Sequence, residues 1–157
     1  MLSGPRDLVK APNRCQVTAI HGNTRLEVKN GRNDTKTLEP FAEWVQCAEL
    51  DHAWSMRQLL FVAEQGTNLL GNYGRDLGGY LVNIAREFPT ETATLLARII
   101  ENSQEHWEVY SIVEDIKKTV EILVDSDLTA ANRLGKGIAE MMFEREFPEF
   151  RSIVETR

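Results

Sequence analysis

The sequence predicts a mainly α-helical protein, and three observations carry that expectation. From residue 38 onward, apolar residues recur at steps of three and four rather than two. Pro, Gly and capping residues punctuate those segments where helices would start and stop. All twelve Phe, Trp and Tyr residues lie after Pro40, so the bulky core material belongs to the helical part. The expected geometry is a compact helical bundle with short loops over residues 38–157.

The elements follow in chain order. Pro40 suits the first turn of a helix, because its missing N–H is an orphan there in any case. Phe41, Trp44, Val45 and Ala48 then share one face. Asp51 is the expected cap of a second helix through Trp54, Leu59, Leu60 and Val62, stopped by Gly66. Gly71-Asn72-Tyr73-Gly74 breaks the chain again. Leu77, Leu81, Ile84 and Phe88 recur at helical steps until Pro89, and Thr90 is the expected cap of the next helix, with Glu91 placed well for its dipole. That helix presents Leu95, Leu96, Ile99 and Ile100. A longer one is expected to carry Val109, Ile112, Ile116, Val120 and Leu123 along one side. Ser126 or Asp127 would cap a last long helix through Leu128, Ala131, Leu134, Ile138 and Met141. Phe147, Pro148 and Phe150 suggest a turn and a short closing helix. Leu81, Ile84, Leu96, Ile99, Ile116 and Leu134 sit at stripe centres and are expected to be buried.

Residues 1–37 differ in kind. They hold seven basic and three acidic side chains, a charge of +4, which leaves −10 on residues 38–157 within the total of −6. Cys15 to Ile20 and Arg25 to Lys29 alternate apolar and polar positions around His21-Gly22-Asn23-Thr24, the pattern of a small β-hairpin. Asn30-Gly31 and the polar run Arg32 to Lys36 read as a linker. A stretch without aromatic residues cannot nucleate its own core.

The chain as a whole has 157 residues, 42% hydrophobic and 27% charged, the balance of an ordinary globular domain. Its net negative charge disfavours coating nucleic acid or anionic membrane. Cys15 and Cys47 match no metal-ligand spacing and read as two free thiols of a reducing compartment. The longest apolar run, Leu59 to Ala63, is too short to span a bilayer, and the first thirty residues contain no continuous apolar stretch. A cytoplasmic protein without a membrane partner is expected.

Leu77 to Asn102 reads as one helix, a tight Phe-Pro-Thr turn and a second helix rich in Ala and Leu. This stretch resembles one unit of a HEAT-type α-helical repeat. The remainder to Phe150, with Asn132-Arg133-Leu134-Gly135 and Glu149-Phe150-Arg151, is similar to helical C-terminal regions of some large bacterial multidomain proteins. The resemblance implies a short HEAT-like stack as the alternative to a bundle, and protein binding or scaffolding as the function. No residue-level repeat at a fixed period accompanies it.

The constellations that could carry chemistry are sparse. Glu49-x-x-His52 has the spacing of a carboxylate-bridged di-iron helix, but no second copy exists, and Asp51 as a cap would separate the two residues. Cys47 and His52 lie five residues apart, a poor separation for a nucleophile–base pair on a helix, and Cys47 shares an apolar surface with Trp44 and Val45. Gly135-Lys136-Gly137 lacks the rest of a phosphate-binding loop, and Gly71, Gly74, Gly78 and Gly79 match no dinucleotide fingerprint. Close helix packing is the expected use of Gly78 and Gly79. The acidic residues Glu140, Glu144, Glu146 and Glu149 read as a solvated helix face.

The expectation is therefore a non-enzymatic interaction or scaffold module without a cofactor or metal, a subunit or fragment of a larger assembly. Its partner would be another protein or a second copy. Trp107 and Tyr110 are the candidate aromatic anchors. Arg25, Lys29 and Arg32 are the candidate basic contacts. The alternative is a nucleic-acid accessory protein that uses the basic segment as an arm, disfavoured because no aromatic side chain there can stack on a base.

Overall fold

A computed structural model describes residues 50–71 and 74–156. All regular secondary structure among the described residues is helical. The predicted hairpin, the helix through Phe41 and Ala48, both cysteines and the basic segment lie outside them.

The first described helix, α1 (His52–Glu64), starts as its sequence demands: the Asp51 carboxylate accepts from the Trp54 N–H at 2.7 Å. Met56, Leu59, Val62 and Ala63 form its buried face. It ends at Gly66, whose φ of 78° is the left-handed conformation that glycine adopts without steric cost. The loop beyond it is not a bare connector, because Thr67, Leu69 and Leu70 are all buried.

Helix α2 (Gly74–Ile84) is shorter than its periodicity predicts. A residue before proline is pushed out of the α region, so Phe88 cannot continue a helix into Pro89. The chain therefore closes in a tight turn in which the Glu87 and Phe88 N–H groups both donate to the Ile84 carbonyl. Phe88, not Thr90, is the N-cap of α3 (Pro89–Asn102), and Pro89 opens the first turn.

Helix α3 is the centre of the bundle. It packs on α1, on α2, and on both long helices that follow. Thr92, Ala93, Leu95, Leu96, Ile99 and Ile100 are all buried, an arc of roughly 160° at 3.6 residues per turn. Such a wide face is what a helix with neighbours on several sides requires.

The long helix expected through Val109 and Leu123 is broken in two. The short α4 (His106–Tyr110) and α5 (Val113–Val124) are separated at Ser111 and Ile112. The Ser111 hydroxyl donates to the Glu108 carbonyl at 2.7 Å, the acceptor that the Ile112 N–H would use in a continuous helix. Ile112 turns instead to the Val109 carbonyl at 3.2 Å.

Helices α5 and α6 (Thr129–Glu144) share the most extensive contact in the described fold. The short Asp125–Leu128 connection makes them antiparallel. Gly135 sets their separation: a Cβ there would lie 2.9 Å from Leu123 Cβ and 3.2 Å from the Val124 nitrogen. Gly78 does the same where α2 meets α5, against the Asp115 side chain, whereas Gly79 faces open space. The expectation of close packing thus holds for Gly78 and fails for Gly79. Leu128 is the N-cap of α6, and Ser126 contributes only through its hydroxyl, which accepts from the Leu128 N–H at 3.2 Å. Asn132 donates from its side chain to the Val124 carbonyl and fastens the end of α5.

Five of the six expected core residues are buried, and Leu134 is only partly so. The buried face of α6 is Ala131, Gly135, Ile138, Ala139 and Met142, with Leu134 at its edge. Phase was misjudged because Gly135, without a side chain, carries no hydrophobic signal although it lies at the closest approach.

Helix α6 ends in two reverse hydrogen bonds, from the Glu146 N–H to the Phe143 carbonyl and from the Phe147 N–H to the Met142 carbonyl. Glu146 holds a φ of 69° in this Schellman-type closure, a position usually given to glycine. The turn drops Phe147 and Phe150 into the core through a 3₁₀ turn (Pro148–Phe150), and α7 (Arg151–Glu155) closes the described chain.

Candidate functional site

Polar contacts gather at one end of the bundle, where the C-termini of α1, α3 and α6 meet the start of α4. Asn102, at the end of α3, donates to the Ala63 carbonyl at 2.7 Å and to the Thr67 carbonyl at 3.2 Å. Arg145, at the end of α6, donates to the Ile100 carbonyl at 2.8 Å. The Ala63 and Ile100 carbonyls lie in the last turns of α1 and α3, where acceptors lack intrahelical partners, and Thr67 lies in the loop beyond α1.

Glu108 is the keystone of this end, and it is only 6% exposed. Its carboxylate accepts from Asn68 Nδ2 at 2.9 and 3.0 Å, from the Gln104 N–H at 3.1 Å and from the Glu105 N–H at 3.2 Å. Asn68 in turn accepts from the Leu70 N–H at 3.0 Å, so one amide organises the buried α1–α2 loop and holds the glutamate. Burying a carboxylate is costly unless several donors meet it, and three do so here through four contacts.

The latch fixes which side of α4 faces water. Glu108 and Val109 point inward, while Trp107 and Tyr110 are 60% and 62% exposed. Three residues apart, the two aromatics share one helix face. His106, also exposed, stacks on Phe147 with ring centroids 4.5 Å apart and planes 2° from parallel. A cleft of about 330 Å³ opens beside this helix, between Glu105 and His106 on one wall and Glu144, Arg145, Glu146 and Phe147 on the other.

A second, wider groove of about 850 Å³ runs between the ends of α2 and α5. Val82, Ile122 and the half-exposed Leu128 give it an apolar floor, under a rim that carries both signs of charge.

Near the start of α1, Tyr80 lies beside His52, with ring centroids 6.1 Å apart. Burial pushes the Tyr80 phenol above its usual value. The Ser55 hydroxyl beside it, without a hydrogen bond of good geometry, offsets part of that effect, and the Glu87 and Asp51 carboxylates add to it.

Of the residues singled out in the sequence, Trp107 and Tyr110 come together on one exposed face. Arg25, Lys29 and Arg32 lie outside the described residues, as do Glu49 and Cys47, whereas His52 is exposed in the first turn of α1. No group of three or more His, Cys, Asp or Glu that could hold a metal occurs among the described residues. No described helix is long and apolar enough to cross a membrane. Sequence reasoning missed Asn68, Asn102, Glu108 and Arg145. For Glu108 a signal existed, since a glutamate three residues after an N-cap is a helix-start signature. Compared with models of protein families, with curated proteins and with solved structures, the chain matches none.

Proposed function

We propose that this chain is a non-enzymatic interaction module of the cytoplasm, a subunit or part of a larger scaffold, that docks a protein partner on α4. One observation carries the reading. Two large aromatic side chains stand mostly in water on a helix whose other side is held by a buried carboxylate with three donors. Large aromatics supply the anchors of protein interfaces, and a pre-fixed anchor loses less conformational entropy on binding. The HEAT-like reading belongs to the same proposal: the helix pairs α2–α3 and α5–α6 are the portion that resembles such repeats, and repeat stacks serve as binding surfaces.

Site-specific photocrosslinking in living cells tests it. A photoreactive residue in place of Tyr110 should give discrete adducts that disappear when Trp107→Ala is added. The same residue in place of Arg98, which is exposed on α3, should give none. Equal adducts from both positions, or none from Tyr110, would overturn the reading.

A further inference from the structure

We infer that the partner segment is cationic: a Lys- or Arg-bearing peptide of another protein, which lays aliphatic stems on Trp107 and Tyr110 and its charged heads in the cleft beside α4. This rests on the reading of α4 as a docking face and names what that face recognises.

Charge complementarity selects the occupant. Glu105, Glu144 and Glu146 line the cleft, and none of them is ion-paired with a cation of the described residues. Arg145, the one Lys or Arg among the described residues of the wall, is committed to the Ile100 carbonyl at 2.8 Å. The backbone adds to the same sign. Helices α1, α3 and α6 all bring their C-termini to this end, as the Asn102 and Arg145 contacts show, and a helix C-terminus carries a partial negative charge.

The aromatic face suits the same ligand. Along α4, Tyr110 lies about 40° round the helix from His106, and Trp107 about 60° further. The exposed strip thus begins at the cleft edge, where His106 stacks on Phe147, and ends on the open face of Trp107. Guanidinium and ammonium groups are attracted to such ring faces, and their stems cover apolar surface while the head stays in polar surroundings. An acidic segment would meet the three glutamates and the helix C-termini with like charge.

The test titrates the full chain with a short peptide of alternating Arg and Ala, against a Glu/Ala peptide of equal length. Affinity is read by calorimetry, and the Trp107 indole N–H by NMR. The expected result is saturable binding of the Arg peptide alone, with a shift of the Trp107 signal. Trp107→Ala should weaken binding at least about tenfold, as for an interface hot spot. Glu144→Gln with Glu146→Gln should weaken it by roughly two- to tenfold, the value of two exposed ion pairs.

Absence of saturable binding overturns the inference, as does equal affinity in those variants, which would place the peptide elsewhere on the −10 body. If neutralising Arg25, Lys29 and Arg32 to Gln strengthens binding, the chain's own basic segment is the occupant instead of a separate protein. Concentration-dependent self-association that Trp107→Ala dissolves would assign the face to a second copy. The failures stay distinct: Tyr110 crosslinks without Arg-peptide binding keep the docking face and remove only the cationic partner.

Discussion

The α5–α6 pair and the short α4 are neighbours built on opposite principles. The pair is held by continuous apolar packing, with Gly135 allowing the two backbones to approach. Helix α4 has five residues, too few to be stable alone, and it owes its place to the Glu108 carboxylate and a single buried valine face. The first arrangement spreads its stability over many contacts. The second concentrates it in one group and, among the described residues, leaves Trp107 and Tyr110 largely exposed. On the proposed reading, that exposed face is the one a partner would use.

The largest expected effects separate the two regions. Leu96→Ala removes a fully buried side chain of the central helix and should cost about 2–5 kcal/mol of global stability in denaturant unfolding. Glu108→Ala should cost about 2–3 kcal/mol, because the Asn68 amide and two backbone N–H groups lose their acceptor. Its effect should be local: amide hydrogen exchange should accelerate over residues 104–111 and in the 67–70 loop, while α5 and α6 keep their protection. Uniform loss of protection in both regions would break the contrast.

How much of this was legible in the sequence follows the same divide. The packed region was readable, because apolar residues at helical spacing announce a buried face, and Leu81, Ile84, Leu96, Ile99 and Ile116 all lie where their period places them. The α4 end was readable only in part. Trp107 and Tyr110 stood out as residue types, but their exposure depends on a helix break set by the Ser111 hydroxyl and on a bond between Asn68 and Glu108, forty residues apart. No local pattern encodes a pairing of that range. Leu134 shows the same weakness from the other side, since a glycine took the core position beside it.

A matched glycine pair sharpens the account of the packed region. Gly135→Ala should destabilise by about 1–3 kcal/mol, because the new methyl meets Leu123 Cβ and the Val124 backbone. Gly137→Ala, two residues on and facing open space, should stabilise by about 0.5–1 kcal/mol through helix propensity. Similar thermal shifts in both variants would mean that the α5–α6 separation is not set at Gly135.

A smaller effect concerns pH. Because burial raises the Tyr80 phenol above its usual value, the folded state holds that proton more tightly than the unfolded chain. Its contribution is fully present below the unfolded value of 10.0 and is lost as pH rises through the higher folded value. Tyr80→Phe should therefore soften the alkaline fall in stability, measured as the difference between unfolding midpoints at neutral pH and above about pH 10. An unchanged alkaline slope would contradict the assignment.

The smallest expected change bears most directly on the central claim, that the Trp107–Tyr110 face is surplus to the fold. Urea unfolding of the full chain carrying both Trp107→Ala and Tyr110→Ala should give a stability within about 0.5 kcal/mol of the parent, as for surface positions without a structural task. A loss of more than about 2 kcal/mol, in the range of core truncations, would show that the two aromatics hold the bundle together and would remove the reason to read them as a docking face.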